Sequence, residues 1–118
     1  MKNILIIDDQ LEILALLKYI IQEKFIVDRI DTCGTPEQAI GYYNTYKYDV
    51  VITDLNLKNK ISGNDLYYIL KEIYPSIIIV SSGSDRTKYP FDDIIYKPSQ
   101  VSDIISVISK YVTSKTKN

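Results

Sequence analysis

The sequence predicts an α/β domain in which five parallel strands carry helices on both faces. Two observations lead there. Short runs of β-branched apolar residues recur along the chain, each too short for a helix and apolar without alternation, as strands buried on both faces are. Between most of them lie stretches with apolar residues at three- and four-residue spacing, which read as amphipathic helices. Strands alternating with helices imply a parallel sheet with right-handed crossovers.

Asn3 to Ile7 is the first strand, ended by Asp8-Asp9-Gln10, and Leu11, Leu14, Leu17 and Ile21 mark a helix to about Lys24. Phe25 to Thr32 alternates loosely through Ile26, Val27 and Ile30, suits an edge strand and closes at Cys33-Gly34. Thr35 is the expected N-cap of the second helix, with Pro36 at its first position and Gln38 completing a capping box. Ala39, Ile40 and Tyr43 continue its apolar face.

Val50-Val51-Ile52-Thr53 is the central strand and delivers Asp54 where it ends. Lys58 to Gly63 reads as a turn-forming loop, Ser62 or Asn64 caps a third helix with Leu66, Ile69, Leu70 and Ile73 inward, and Pro75 stops it. Ile77 to Val80 is the fourth strand and runs into Ser81-Ser82-Gly83. Ile94-Ile95-Tyr96 is a short fifth strand before Lys97-Pro98, and Val101, Ile104, Ile105, Ile108 and Val112 mark the last helix. Residues 113–118 form a polar tail, with Lys115 to Lys117 expected to be a frayed end. Only about ten residues, Gly83 and Pro90 among them, separate Ser82 from the fifth strand. A helical crossover usually needs a dozen or more, so the fourth crossover helix is expected to be short or absent.

At 118 residues the chain is one domain, spanning 1–118, and buries enough surface to hold a core without staples. The lone Cys33 fits a reducing compartment, and 14 basic against 15 acidic residues give no field that attracts nucleic acid or an anionic membrane. No stretch approaches the ~20 apolar residues of a membrane span, and the apolar run after Lys2 is too short for a signal peptide, so a soluble, cytoplasmic protein is expected. The absence of histidine excludes His bases, His metal ligands and the histidine-bearing role in phosphotransfer.

In open parallel sheets, ligands bind outside the carboxyl ends of the strands. Here those ends carry Asp8 and Asp9, Asp54, Ser82-Gly83 and Lys97-Pro98. Three converging carboxylates repel one another, by about 4 kcal/mol for a pair 4 Å apart at an effective dielectric of 20, and call for a cation. Oxygen-only ligands point to Mg²⁺, or Mn²⁺, and zinc is disfavoured without His or a Cys cluster. A carboxylate can accept a phosphoryl group, and the negative charge of that transfer needs neutralising by a metal, an ammonium such as Lys97 and a hydroxyl such as Ser82 with an amide near Gly83. Singly, each residue has a plainer reading: a helix cap for Asp8 or Asp9, an Asx-turn for Asp54, a turn for Ser82-Gly83, a solvated charge for Lys97 and a helix starter for Pro98. Ser81 is an alternative for the hydroxyl.

With these motifs in this order, the chain resembles a receiver domain of a bacterial-type two-component response regulator over essentially its whole length. The resemblance implies a flavodoxin-like fold of strand order 2-1-3-4-5 and Mg²⁺-dependent phosphorylation of Asp54 by a histidine kinase or histidine phosphotransfer protein. It implies metal ligation by Asp9, Asp54 and the backbone carbonyl of Asn56, assisted by Asp8. Ser82, Gly83 and Lys97 would bind the phosphoryl group, Asn56 and Ser84 would tune its lifetime, and Pro98 would be structural. The family's switch aromatic sits three residues before the lysine, where this chain has Ile94; Tyr96 and Phe91 are near but out of register. The loop after Asp54 is about one residue longer than usual, with Lys58 in place of the common proline.

The expected function is a phosphoacceptor that switches or relays a signal to a separate, unspecified downstream protein, a signalling phosphoprotein rather than a conventional enzyme. Homodimerisation is left open, and Met1 disfavours excision from within a larger chain. The alternative is a phosphorylation-independent pseudo-receiver acting as a binding or dimerisation module, which Ile94 and the short fourth crossover favour. A Mg²⁺ phosphohydrolase ranks last, because its nucleophile is expected in an Asp-x-Asp arrangement on the first strand.

Overall fold

The computed structural model describes residues 2–55, 61–83, 91–97 and 99–115. Lys2–Ile7 forms β1, Leu11–Lys24 α1, Val27–Cys33 β2, Pro36–Thr45 α2 and Val50–Asp54 β3. Gly63–Ile73 forms α3, Ile77–Ser82 β4, Asp93–Tyr96 β5 and Val101–Ile108 α4. All strand pairs are parallel, in one sheet of order β2-β1-β3-β4-β5, the flavodoxin-like order.

Register aligns the apolar residues in rows. Ile4, Val50 and Ile77 lie side by side, as do Ile6, Ile52 and Ile79, and their side chains share one face with Leu14, Leu17, Ile20 and Ile21 of α1 and Ile104 and Ile108 of α4. Leu5, Val51 and Ile78 form the row between and pack with Ala39 and Tyr43 of α2 and Leu66 and Leu70 of α3. The central strand is therefore buried on both faces, as its unbroken apolar run requires. Each fully buried Leu or Ile contributes about 1.5–3 kcal/mol, so truncating one in these rows is among the costliest single changes.

The helix starts follow local chemistry. Thr35 Oγ1 accepts from the Gln38 amide at 3.2 Å, while Gln38 Oε1 accepts from the Gly34 amide at 3.0 Å rather than from Thr35. The reciprocal bond falls one residue early because the chain bends at Gly34 as it leaves β2. Ser62, not Asn64, caps α3, accepting from the Asp65 amide at 3.0 Å. Tyr74, the residue before Pro75, is extended, and α3 ends there.

Some of the apolar residues expected inside lie elsewhere. Leu11 is 78 % exposed, and Ile73 and Val101 are exposed too; each is the terminal residue of its helix. Ile69 is only half-buried, on the flank of α3. Ile20 takes an inner position on α1 that spacing from Leu11 does not reveal.

Phe25 is not part of β2 but bridges to Ser114 in antiparallel fashion. The Ile26 amide donates to Thr113 O at 2.8 Å and the Lys115 amide to Lys24 O at 2.9 Å. Thr113 to Lys115 are thus tied down rather than frayed, since backbone groups that α1 and β2 leave unmatched find partners there. In the β4–β5 connection, Gly83, Phe91 and Asp92 are non-helical, and 84–90 lie outside the described residues. Its end is held on α3: Phe91 meets Tyr67 edge-on at 5.4 Å, and Asp92 pairs with Lys71 at 2.8 Å while accepting from the Ile78 amide at 2.7 Å. No helix among the described residues is long and apolar enough to cross a membrane.

Candidate functional site

Parallel pairing puts the carboxyl ends of β1, β3, β4 and β5 at one edge of the sheet, and the chemistry-bearing residues collect there. One carboxylate oxygen each from Asp8, Asp9 and Asp54 lies within 4.8 Å of the others. Asp8 and Asp54 are buried, 2 % and 7 % exposed, while Asp9 is open to solvent. Asp8 Oδ1 also accepts from the Gln10 amide at 2.9 Å, so the carboxylate that holds the turn into α1 is a member of the cluster as well. Burial pushes the Asp8 carboxyl above its ordinary range, and the charges of Asp54 and Asp9 push it further, against the Gln10 amide and Lys97. A cluster of hard oxygen donors that raises its own cost of ionisation fits a small divalent cation better than any soft metal.

Lys97, next after β5, donates from Nζ to Asp54 Oδ1 at 3.2 Å. Its amide donates to Ser82 O at 2.9 Å, which anchors the end of β5 on β4. Gly83 adjoins this lysine: a Cβ there would stand 3.7 Å from Lys97 O, an ordinary contact, so the space does not demand glycine.

The β3–β4 register places Ser81, not Ser82, opposite Asp54. Side chains alternate along a strand, so Ser81 shares the face of Ile79, whereas Ser82 shares that of Ile78 and is buried. Ser81 and Lys97 both line a cavity of about 450 Å³ between α1, α4 and the ends of β4 and β5. Of the two serines, the one carried as the alternative thus stands on the side of Asp54 and Lys97. Ser82 is the serine with the glycine neighbour, and Ser81 is the one level with Asp54 in the register of β3 and β4.

Ile94 pairs with Val80 and is half-buried, and Tyr96 pairs with Ser82 and is 61 % exposed. By the same alternation both lie out of phase with Ile95 and Lys97, on the α2–α3 side. Asn56, Ser84 and Pro98 lie outside the described residues. One neighbour of the site escaped the sequence reading. Gly63, read there as part of a loop, is the first residue of α3, and a Cβ on it would meet Leu55 O at 2.8 Å, Leu55 Cα at 3.1 Å and Asp54 O at 3.2 Å. The available signal was a glycine where a helix start gains nothing from one.

Among curated proteins none matches the chain. Among solved structures, the chemotaxis response regulator CheY4 of Vibrio cholerae is similar at TM-score 0.80 and 15 % identity, over 94 % of this chain and 98 % of that one. A two-component response regulator from Clostridium difficile is similar at TM-score 0.81 and 21 % identity, covering 94 % and 95 %. The BeF3-activated DrrB receiver domain is similar at TM-score 0.79 and 20 % identity, covering 94 % and 97 %. These likenesses establish the fold. The family model for the response regulator receiver domain matches residues 4–109, and the chain belongs to that family.

Proposed function

We propose that the domain is a phosphoacceptor switch in which Asp54 takes a phosphoryl group from a phosphohistidine on a kinase or phosphotransfer protein. The observation that carries this reading is the placement of Lys97 Nζ 3.2 Å from Asp54 Oδ1 beside three carboxylates that gather within 4.8 Å. An Asp54 oxygen attacks phosphorus, the new P–O bond forms, and the P–N bond to the donor imidazole breaks with its electron pair leaving on nitrogen. Asp8, Asp9 and Asp54 would hold Mg²⁺ or Mn²⁺, with the Asn56 carbonyl as a further ligand, and that ion would supply charge neutralisation at the phosphoryl oxygens. Lys97 moves from carboxylate to phosphoryl oxygen, and the Ser81 hydroxyl donates to another, with Ser82 contributing only backbone and Gly83 an approach for its amide. Asp8 orients the turn that presents Asp9. By resemblance to the family, Ser84 and Asn56 would set how fast water removes the phosphoryl group. The modified surface is recognised by a separate protein, so the domain signals without turning over a substrate.

A second reading, a pseudo-receiver that binds without being phosphorylated, is favoured by Ile94, which carries no ring or hydroxyl to follow a movement of Ser81. Beryllofluoride, a phosphoryl mimic, separates the two. The proposal expects Mg²⁺ with beryllofluoride to change tyrosine fluorescence saturably and Asp54→Asn to abolish the change. An unresponsive wild type under the same conditions supports the pseudo-receiver.

A further inference from the structure

We propose that Gly63 is a positioning residue for phosphoryl acceptance, acting through the main chain of Asp54 and Leu55; this rests on the phosphoacceptor reading above. The first turn of α3 lies directly against the end of β3. A Cβ at Gly63 would stand 2.8 Å from the Leu55 carbonyl oxygen, 3.1 Å from Leu55 Cα and 3.2 Å from the Asp54 carbonyl oxygen. All three neighbours are backbone, so no side chain can swing aside to make room. Any residue larger than glycine must move either α3 or the peptides of Asp54 and Leu55.

The two sides of this contact are unequally held. α3 is fixed by its Ser62 cap and by Leu66 and Leu70 in the core. Opposite it, Asp54 is the last residue of β3 and its carbonyl accepts from Thr53 Oγ1 at 3.1 Å, whereas Leu55 lies one residue beyond the strand, its amide bonded to Ser81 O at 3.2 Å. The displacement therefore falls first on Leu55, which the added Cβ would meet most closely, and passes to the peptide it shares with Asp54. That peptide sets the direction of the Asp54 carboxylate toward Lys97 and of the chain that runs on to Asn56. Reactivity at such a centre is steep in position, since a 1 Å misplacement costs on the order of 10²-fold in rate. Gly41 offers the contrast: it lies in α2 with nothing within 4 Å of where its Cβ would be.

The test compares Gly63→Ala, Gly41→Ala and Ser62→Ala with the wild type. Each is incubated with acetyl phosphate over a range of Mg²⁺ concentrations, and phosphorylation is followed by intact mass. Gly63→Ala is expected to be folded by circular dichroism, to react about tenfold more slowly at saturating Mg²⁺, and to need more Mg²⁺ for half its maximal rate. Hydrogen exchange at the Leu55 amide is expected to quicken. Ser62→Ala loosens the same helix start without adding an atom at the contact; it is expected to melt lower while keeping the wild-type rate and Mg²⁺ dependence, as is Gly41→Ala without the loss of stability. Equal rates and Mg²⁺ dependence in Gly63→Ala and wild type overturn the inference. So does a rate loss in Ser62→Ala equal to that of Gly63→Ala, since stability alone would then explain both. If Gly63→Ala fails to fold, the same substitution in a background stabilised by Gly41→Ala takes its place under the same criteria. A wild type that acquires no phosphoryl group overturns the phosphoacceptor reading first, and this inference with it.

Discussion

Lys97 and Asp54 meet across β4, with Nζ 3.2 Å from Oδ1, although their strands are not neighbours in the sheet. The lysine stem is partly exposed and the carboxylate nearly buried, so the pair is worth more as a positioned charge than as a source of stability. Lys97→Ala is expected to retain Asp54 phosphorylation by acetyl phosphate at a rate roughly 10²-fold lower. A time course by intact mass checks it; an unchanged rate removes Lys97 from the transfer step.

The two serines at the end of β4 separate by face. Ser81→Ala is expected to slow phosphorylation about tenfold with little change in unfolding free energy. Ser82→Ala, at a buried hydroxyl, is expected to cost about 1 kcal/mol in urea unfolding while leaving the rate intact. Exchanged outcomes would assign the phosphoryl contact to Ser82.

Asp8 gives the site a pH signature. Burial, with the charges of Asp54 and Asp9, raises its folded-state pKa above the ordinary carboxylate value of 3.8. The folded state therefore binds this proton more tightly than the unfolded chain does. Its contribution to stability is present in full below pH 3.8 and is lost as pH rises through the raised value. In EDTA at neutral pH, Asp8→Asn, which keeps an oxygen for the Gln10 amide, is expected to melt higher than wild type, with the gap closing toward pH 4. Mg²⁺ is expected to stabilise the wild type and to do so less in the variant. Thermal melts across that range, with and without Mg²⁺, are the check.

Truncation after Val112 removes the bonds of Thr113 to Ile26 and of Lys115 to Lys24, the two that make the Phe25–Ser114 bridge. At about 1 kcal/mol each, the loss in urea unfolding is expected to be about 2 kcal/mol. A truncated chain of unchanged stability would return these residues to the status of a loose end.

The fold was legible because buried parallel strands announce themselves as unbroken apolar runs, and Val50 to Thr53 could be little else. The convergence of Asp8, Asp9, Asp54 and Lys97 followed from topology once each was placed at a strand end. Ser81 against Ser82 was harder, since a shift of one residue reverses the face and only register with Asp54 decides it. Leu11 and Val101 misled because helical spacing does not say whether the first residue of a helix reaches the core. The bonds of Thr113 to Ile26 and of Lys115 to Lys24 join residues far apart in the chain through backbone atoms, on which side-chain pattern is silent. Gly63 was hidden for a related reason: what it touches is the main chain.

The measurement that bears most directly on the central claim is intact-mass spectrometry after incubation with acetyl phosphate, with and without Mg²⁺, on wild type and Asp54→Asn. The account predicts one added phosphoryl group in wild type, dependent on Mg²⁺ and absent from the variant. A wild type that stays unmodified, or an adduct that survives in Asp54→Asn, would contradict it.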